Sequence, residues 1–440
     1  MVDDKRSTPQ RRSADITRRL AGICGPGFAR AAGAADGVAG APARWVAVPG
    51  TVDAVGAVLD VAADEELAVV PRGAGTKIDW GAAPSRVDIV LDTGRLAGIG
   101  HWSPGEQTVE VGAGTPLRSV QAVLAQGRHR LAMDAPSTDA TIGGVLSADE
   151  TGPLHHRYGT PGQQVVGMSY VDSAGVPSQA GNRAAAGDPV GGHDLTRLLC
   201  GSQGALGVLV SATLRVQPLP ASRIWVSGPV RNPSQVQELV GELVATTLAP
   251  SAVELDLPAV DVGRLAPRRQ RPNPPIGSLV VLLEGDPTDV AERAAWLVDL
   301  FDDDAEVTDA PPDWWSRYPF GPEDVALRID APAGDLHAAL YALRDVVGAP
   351  VPVRGAAGLG LVHAALPGSM SPGRVTSVLD AVRRVLLARA GSCVVVSAPP
   401  QVRDAVDLWG DLPGLPALRQ VKERFDPYRR LAPGRLPGGI

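Results

Sequence analysis

Pro71-Arg72-Gly73-Ala74-Gly75-Thr76-Lys77 is the segment that most restricts what this chain can become. It follows a short apolar run, Leu67 to Val70, that reads as a buried strand. The segment is therefore a glycine-rich turn leaving a strand end. Glycines there tolerate positive φ and let a ligand approach the backbone closely. Successive backbone amides in such a turn converge on an anion, and the natural guest is a diphosphate. An ordinary strand-to-strand turn is the alternative. Two other phosphate motifs are excluded. Lys77 follows Thr76 and precedes Ile78, which breaks the P-loop pattern. Ile78 also stands where a Rossmann turn needs its third glycine, and Ile78-Asp79-Trp80-Gly81 is a poor first turn of a helix.

The 440 residues allow two to three domains and a sizeable core. Hydrophobic residues at 44% describe a globular chain, and a formal charge of −7 argues against a nucleic-acid partner. No run approaches the roughly 18 consecutive apolar residues of a membrane-spanning helix. Arg11-Arg12 invites comparison with a twin-arginine signal, but the following segment is broken by Pro26, Arg30 and Asp36, so a cytoplasmic protein is expected. Cys24, Cys200 and Cys393 are isolated, which excludes an iron–sulfur or zinc-ribbon site in this chain and fits a reducing compartment.

Residues 1–40 read as a mobile or helical arm. Trp45 to Val48 begins a βαβ pattern: a strand, then Thr51 as N-cap of a helix to Glu66, then the strand that feeds the glycine turn. Val87 to Asp92 and Thr108 to Val111 read as further strands. Thr115 is expected to cap a helix with Pro116 at its first position. A second small-residue loop, Asp134 to Leu146, enters an apolar segment through Gly143-Gly144. Val208 to Val216 alternates strictly, as a strand should. Beyond Pro220, amphipathic helices alternate with short strands, which predicts an α+β cap domain.

The ordered succession PRGAGTKIDWG, VDIVLDTGRL, VEVGAGTPL, PSTDATIGGVL, RYGTPGQQVVG and LLCGSQGALGVLVSATLRVQPLP closely resembles the vanillyl-alcohol-oxidase (PCMH-type) FAD-binding domain. VKERFDPYRRLAPGR, residues 421–435, resembles that family's C-terminal signature. Asp313-Trp314-Trp315 through Phe320, Leu327-Arg328-Ile329 and a Gly-rich strand Gly355 to Val362 resemble the FAD-binding E subunit of glycolate oxidase. The implied fold is α+β. A two-subdomain PCMH-type FAD-binding domain (41–220) carries an α+β cap (221–420), and a tail (421–440) returns to the FAD domain.

The resemblance implies that Arg72, Gly73, Ala74, Gly75 and Thr76 wrap the FAD pyrophosphate. Pro136, Ser137, Thr141, Gly143 and Gly144 would line a second wall, continued by Gly152, Tyr158 and Gly159, while Gly207 and Val208 would meet the adenosine half. It implies non-covalent FAD and oxidation of a small 2-hydroxy acid such as glycolate or D-lactate, with the substrate Cα–H placed against flavin N5. It also implies a second flavoprotein subunit and an iron–sulfur subunit as partners. An FAD-holding electron-relay or assembly subunit is the competing expectation. The chain departs from the family between Gly181 and Asp194, where His193 replaces a tyrosine. Gln203 stands where the family often has Glu, and the His-rich metal motif is missing, so no metal is expected. His193 is the expected base, with His155, His156 and His363 as further candidates. Arg328 would grip a substrate carboxylate, unless it serves a structural salt bridge.

Overall fold

The computed structural model describes residues 9–181, 195–259, 275–301 and 304–440. Thr51 caps the helix Val52–Asp64 by accepting the Ala54 amide, and Val55, Val58, Leu59 and Ala62 turn inward at helical spacing. The strands Trp45–Ala47 and Val69–Arg72 both pair in parallel with Ile89–Asp92, which lies between them. Ala29–Ala31 adds an antiparallel edge. The segment expected as an arm supplies this edge and also the helix Pro9–Cys24. Ile16, Leu20 and Cys24 of that helix are buried with Trp45, Val55 and Val58.

A second lobe is a five-stranded antiparallel sheet in the order Ile99–Ser103, Thr108–Gly112, Val208–Arg215, Val165–Val171, Pro177–Gly181. The helices Leu117–Gln126 and Ile142–Ala148 bury Leu117, Val120, Leu124, Ile142, Val145 and Leu146 against it. Pro116 rather than Thr115 is the N-cap of the first of these. The Thr115 hydroxyl is already committed to the Gly98 amide and carbonyl, so it cannot reach the helix amides.

The cap is an eight-stranded antiparallel sheet. Its order is Glu306–Thr308, Ser222–Val230, Gly277–Gly285, Ala252–Leu257, Val353–Ala356, Leu361–Leu366, Val325–Asp330, Ser392–Ser397. Alternation along the strands divides it into two faces. Val253, Leu255, Leu327, Ile329 and Val362 meet the helices Pro233–Ala245, Pro287–Phe301, Leu336–Val347 and Pro372–Leu387 in the largest core. The opposite face looks toward the first two lobes, where Ala252, Val280 and Leu282 pack with Leu154 and Trp315. The expected single strand Gly355 to Val362 is two strands. A tight turn at Ala357–Leu359 separates them, and Gly360 at φ +74° closes it. Trp314 and Trp315 sit in a turn, with Trp315 edge-on to Trp225.

The last helix, Leu415–Phe425, leads the tail back to the first lobe. Val69 donates its amide to Arg430 and accepts from Ala432, so the tail runs beside the strand that carries the glycine turn. Lys422, 0% exposed, fastens this return by donating to the carbonyls of Ala205 and Leu431 and to Asp426.

Candidate functional site

The glycine turn sits where the two lobes and the cap meet, on a cavity of about 710 Å³. Gly75 has φ +76°, the left-handed region that favours glycine. Gly73 does not, and its role is spatial. A Cβ on Gly73 would lie 2.2 Å from Thr141 Oγ1. Thr141 is the N-cap of Ile142–Ala148, accepting the Gly144 amide at 3.2 Å, so the turn and the helix start are pressed together. Arg72 contributes main chain to the turn, because its guanidinium is paired with Asp92 at 2.9 Å and Asp36 at 3.3 Å.

Arg72, Gly73, Ala74, Gly75, Thr76, Thr141, Gly143, Gly144, Gly207, Val208 and Arg328 all line this cavity. Pro136 and Gly152 border a smaller adjoining space of about 40 Å³. Ser137 lies just behind the wall, accepting from Lys77 Nζ at 2.7 Å and donating its amide to Glu150. The structure places Tyr158 elsewhere, at the junction with the cap. Its hydroxyl donates to Glu284 at 2.9 Å and accepts from Arg130 at 3.1 Å, so the buried Arg130–Glu284 pair holds the ring away from the cavity. Gly159, at φ +82°, ends the short helix His155–Tyr158. His193 lies outside the described residues.

The cap wall brings two of the expected residues together and adds Tyr318, which motif reading did not assign to the site. Arg328 and His363 are direct cross-strand neighbours facing the cavity. Arg328 is half exposed, and its nearest carboxylate, Asp330, is 3.8 Å away. Burial, then the Arg328 and Lys77 cations, push the His363 pKa down to about 3, so the imidazole is neutral. Tyr318 packs edge-on against His363 at 5.0 Å and against Trp80 at 5.3 Å. Its hydroxyl donates to Glu150 at 3.0 Å, and burial holds that phenol well above its ordinary range. Lys77 completes the group through an ion pair with Glu150. Lys77 directly follows the glycine turn, but nothing in a linear motif marks Glu150 as its partner. His155 also lines the cavity, its pKa lowered by burial. Among the described residues no cluster of His, Cys, Asp and Glu could hold a metal ion.

Residues 43–179 match the FAD binding domain family. They form an FAD-binding domain. The turn and the pressed helix start of this FAD-binding domain, set on a cavity of about 710 Å³, fit a cofactor lying against main chain. The chain is 27% identical over 217 residues to glycolate oxidase subunit GlcD of Bacillus subtilis (strain 168), covering 49% of this chain and 46% of that one. It is 30% identical over 162 residues to glycolate oxidase subunit GlcE of Escherichia coli (strain K12), covering 36% and 45%. It therefore matches less than half the length of these relatives. The fold extends over the whole chain. The substrate-bound structure of p-cresol methylhydroxylase superposes with TM-score 0.75 at 14% identity, covering 98% of both chains. Among the described residues no helix is long and apolar enough to cross a membrane.

Proposed function

We propose that this chain is an FAD-dependent oxidoreductase acting on the CH–OH group of a small 2-hydroxy acid, with glycolate and D-lactate as the expected substrates. The observation that carries the reading is the cross-strand pair Arg328 and His363, set on the cap wall of the cavity that the FAD loops line. A 2-hydroxy acid presents a carboxylate and a hydroxyl on adjacent carbons. Facing side chains on an antiparallel pair stand about 5 Å apart at Cβ, which suits reading both groups at once.

Bound FAD supplies the two-electron acceptor. Arg328 grips the carboxylate through paired N–H donors, a geometry guanidinium matches well. The hydroxyl then falls to the neutral His363 imidazole, which takes its proton. Arg328 is one of the cations that depress His363. A substrate carboxylate neutralises it, so His363 gains basicity once substrate is seated. Trp80, Tyr318 and Trp409 wall the cavity and limit water around this transfer. The two glycolate oxidase subunits among the relatives support the substrate class. The likeness to two glycolate oxidase subunits supports assembly with further subunits, proposed to be a second flavoprotein and an iron–sulfur protein.

The FAD is proposed to be non-covalent, so acid precipitation should leave the yellow chromophore in solution. Anaerobic addition of glycolate or D-lactate to the purified holoprotein should bleach the flavin band. Retention of FAD with no bleaching by any 2-hydroxy acid would overturn the oxidase reading and leave an electron-relay subunit.

A further inference from the structure

Among the described residues, no carboxylate pairs with the charge that Arg435 carries. Its side chain belongs to a residue only 4% exposed, and Nη1 donates to the Ile78 carbonyl at 2.8 Å. Nε has no partner, and among the described residues no carboxylate forms an ion pair with the guanidinium. Asp79 attracts it from a distance, but that carboxylate is engaged by the Ala39 amide. Burial lowers the Arg435 pKa only to about 10, so the group stays cationic at neutral pH. Gln203 sits in the same region. Its Oε1 is buried without a partner and lies next to Gly81, which the Arg435 carbonyl also approaches. Both residues line the main cavity. A glutamate at position 203 would place an anion in this region, and the amide does not.

A buried cation without a counter-charge is destabilising, and a planar guanidinium is well matched to phosphate. Ile78, to which Arg435 is tied, is one residue beyond Lys77 at the end of the glycine turn. We propose that Arg435 is the counter-charge of the FAD diphosphate, the ligand completing an ion pair that the protein leaves open at this end of the cavity. The inference rests on the FAD reading of the cavity.

The test uses full-length apoprotein titrated with FAD by fluorescence quenching, with ADP as a competitor that carries the diphosphate but no flavin ring. Wild-type protein should bind both, and failure here would sink the FAD reading itself. Arg435→Met should weaken FAD and ADP alike, by at least about tenfold, as expected for a lost charge-assisted contact. Arg435→Lys should retain part of that affinity. Gln203→Glu puts a carboxylate on the wall of the same cavity, so FAD affinity should fall. The proposal is overturned if folded Arg435→Met binds FAD within about threefold of wild type. Loss of FAD affinity with ADP affinity intact would also overturn it, because the contact would then be to the ring. So would a Gln203→Glu protein with unchanged FAD affinity.

Discussion

Individual residues divide into those that shape main chain and those that offer chemistry. Gly73 belongs to the first kind for a reason other than backbone freedom: the space above its Cα is filled by Thr141 Oγ1. Gly73→Val is expected to yield folded protein that purifies without FAD, measured by the 450 nm absorbance per chain; full flavin occupancy would refute the assignment of this turn. Arg328 and His363 belong to the second kind, and their roles separate kinetically. Arg328→Ala should raise the substrate KM about 10–100-fold, the range for hydrogen bonds to a charged group. His363→Gln should instead lower the rate of flavin reduction about 10²–10⁴-fold with a smaller effect on KM. Stopped-flow reduction at saturating substrate distinguishes the two, and identical profiles would count against the division of labour.

Among the elements, the tail is the one whose position depends most on a buried charge. Lys422 and Asp426 are one turn apart on and just beyond the last helix, and both are essentially buried. Asp426 also accepts the amides of Arg430 and Leu431, which turns the chain toward the strand Val69–Arg72. Removing the carboxylate leaves the ammonium with two carbonyl partners and no counter-charge. Asp426→Ala should therefore destabilise the protein by about 3–5 kcal/mol, read from denaturant unfolding. Replacing both residues with apolar side chains should recover much of that loss, since an intact buried pair contributes little net stability. If the single variant unfolds like wild type, the tail is held by its backbone pairing alone.

For the whole molecule, the seam between the lobes and the cap is polar and responsive to pH. Burial raises the Asp134 carboxyl to about 7, and Glu254, a neighbour on the cap, is raised in the same direction. Between about pH 4 and pH 7 the folded protein therefore keeps a proton on Asp134 that the unfolded chain has released. The stability from this group is present at low pH and lost as pH rises through 7. Asp134→Asn should flatten the fall in melting temperature over that window. Glu254 adds to the same slope, while Glu284, held down by Arg130 despite its burial, acts in the opposite sense only below its ordinary value of 4.5. An unchanged slope in Asp134→Asn would refute the assignment.

The sequence alone determined what depends on local backbone. A strand feeding a glycine turn, a threonine-capped helix start and a strictly alternating strand are each written in a few consecutive residues, because turn geometry and side-chain periodicity are short-range. The FAD-binding domain was legible only through the resemblance of six ordered motifs to a known family. Competition for the same group went unseen in the linear pattern: Thr115 had a better partner in Gly98 than in the helix it precedes. Only the tertiary structure decided the rest. Strand order brought Arg328 beside His363, lobe packing placed Glu150 between Lys77 and Tyr318, and the returning tail laid Arg435 against Ile78. Such placements depend on which apolar faces bury against one another, and that choice is settled by the whole core, leaving no mark in the spacing of the residues that meet.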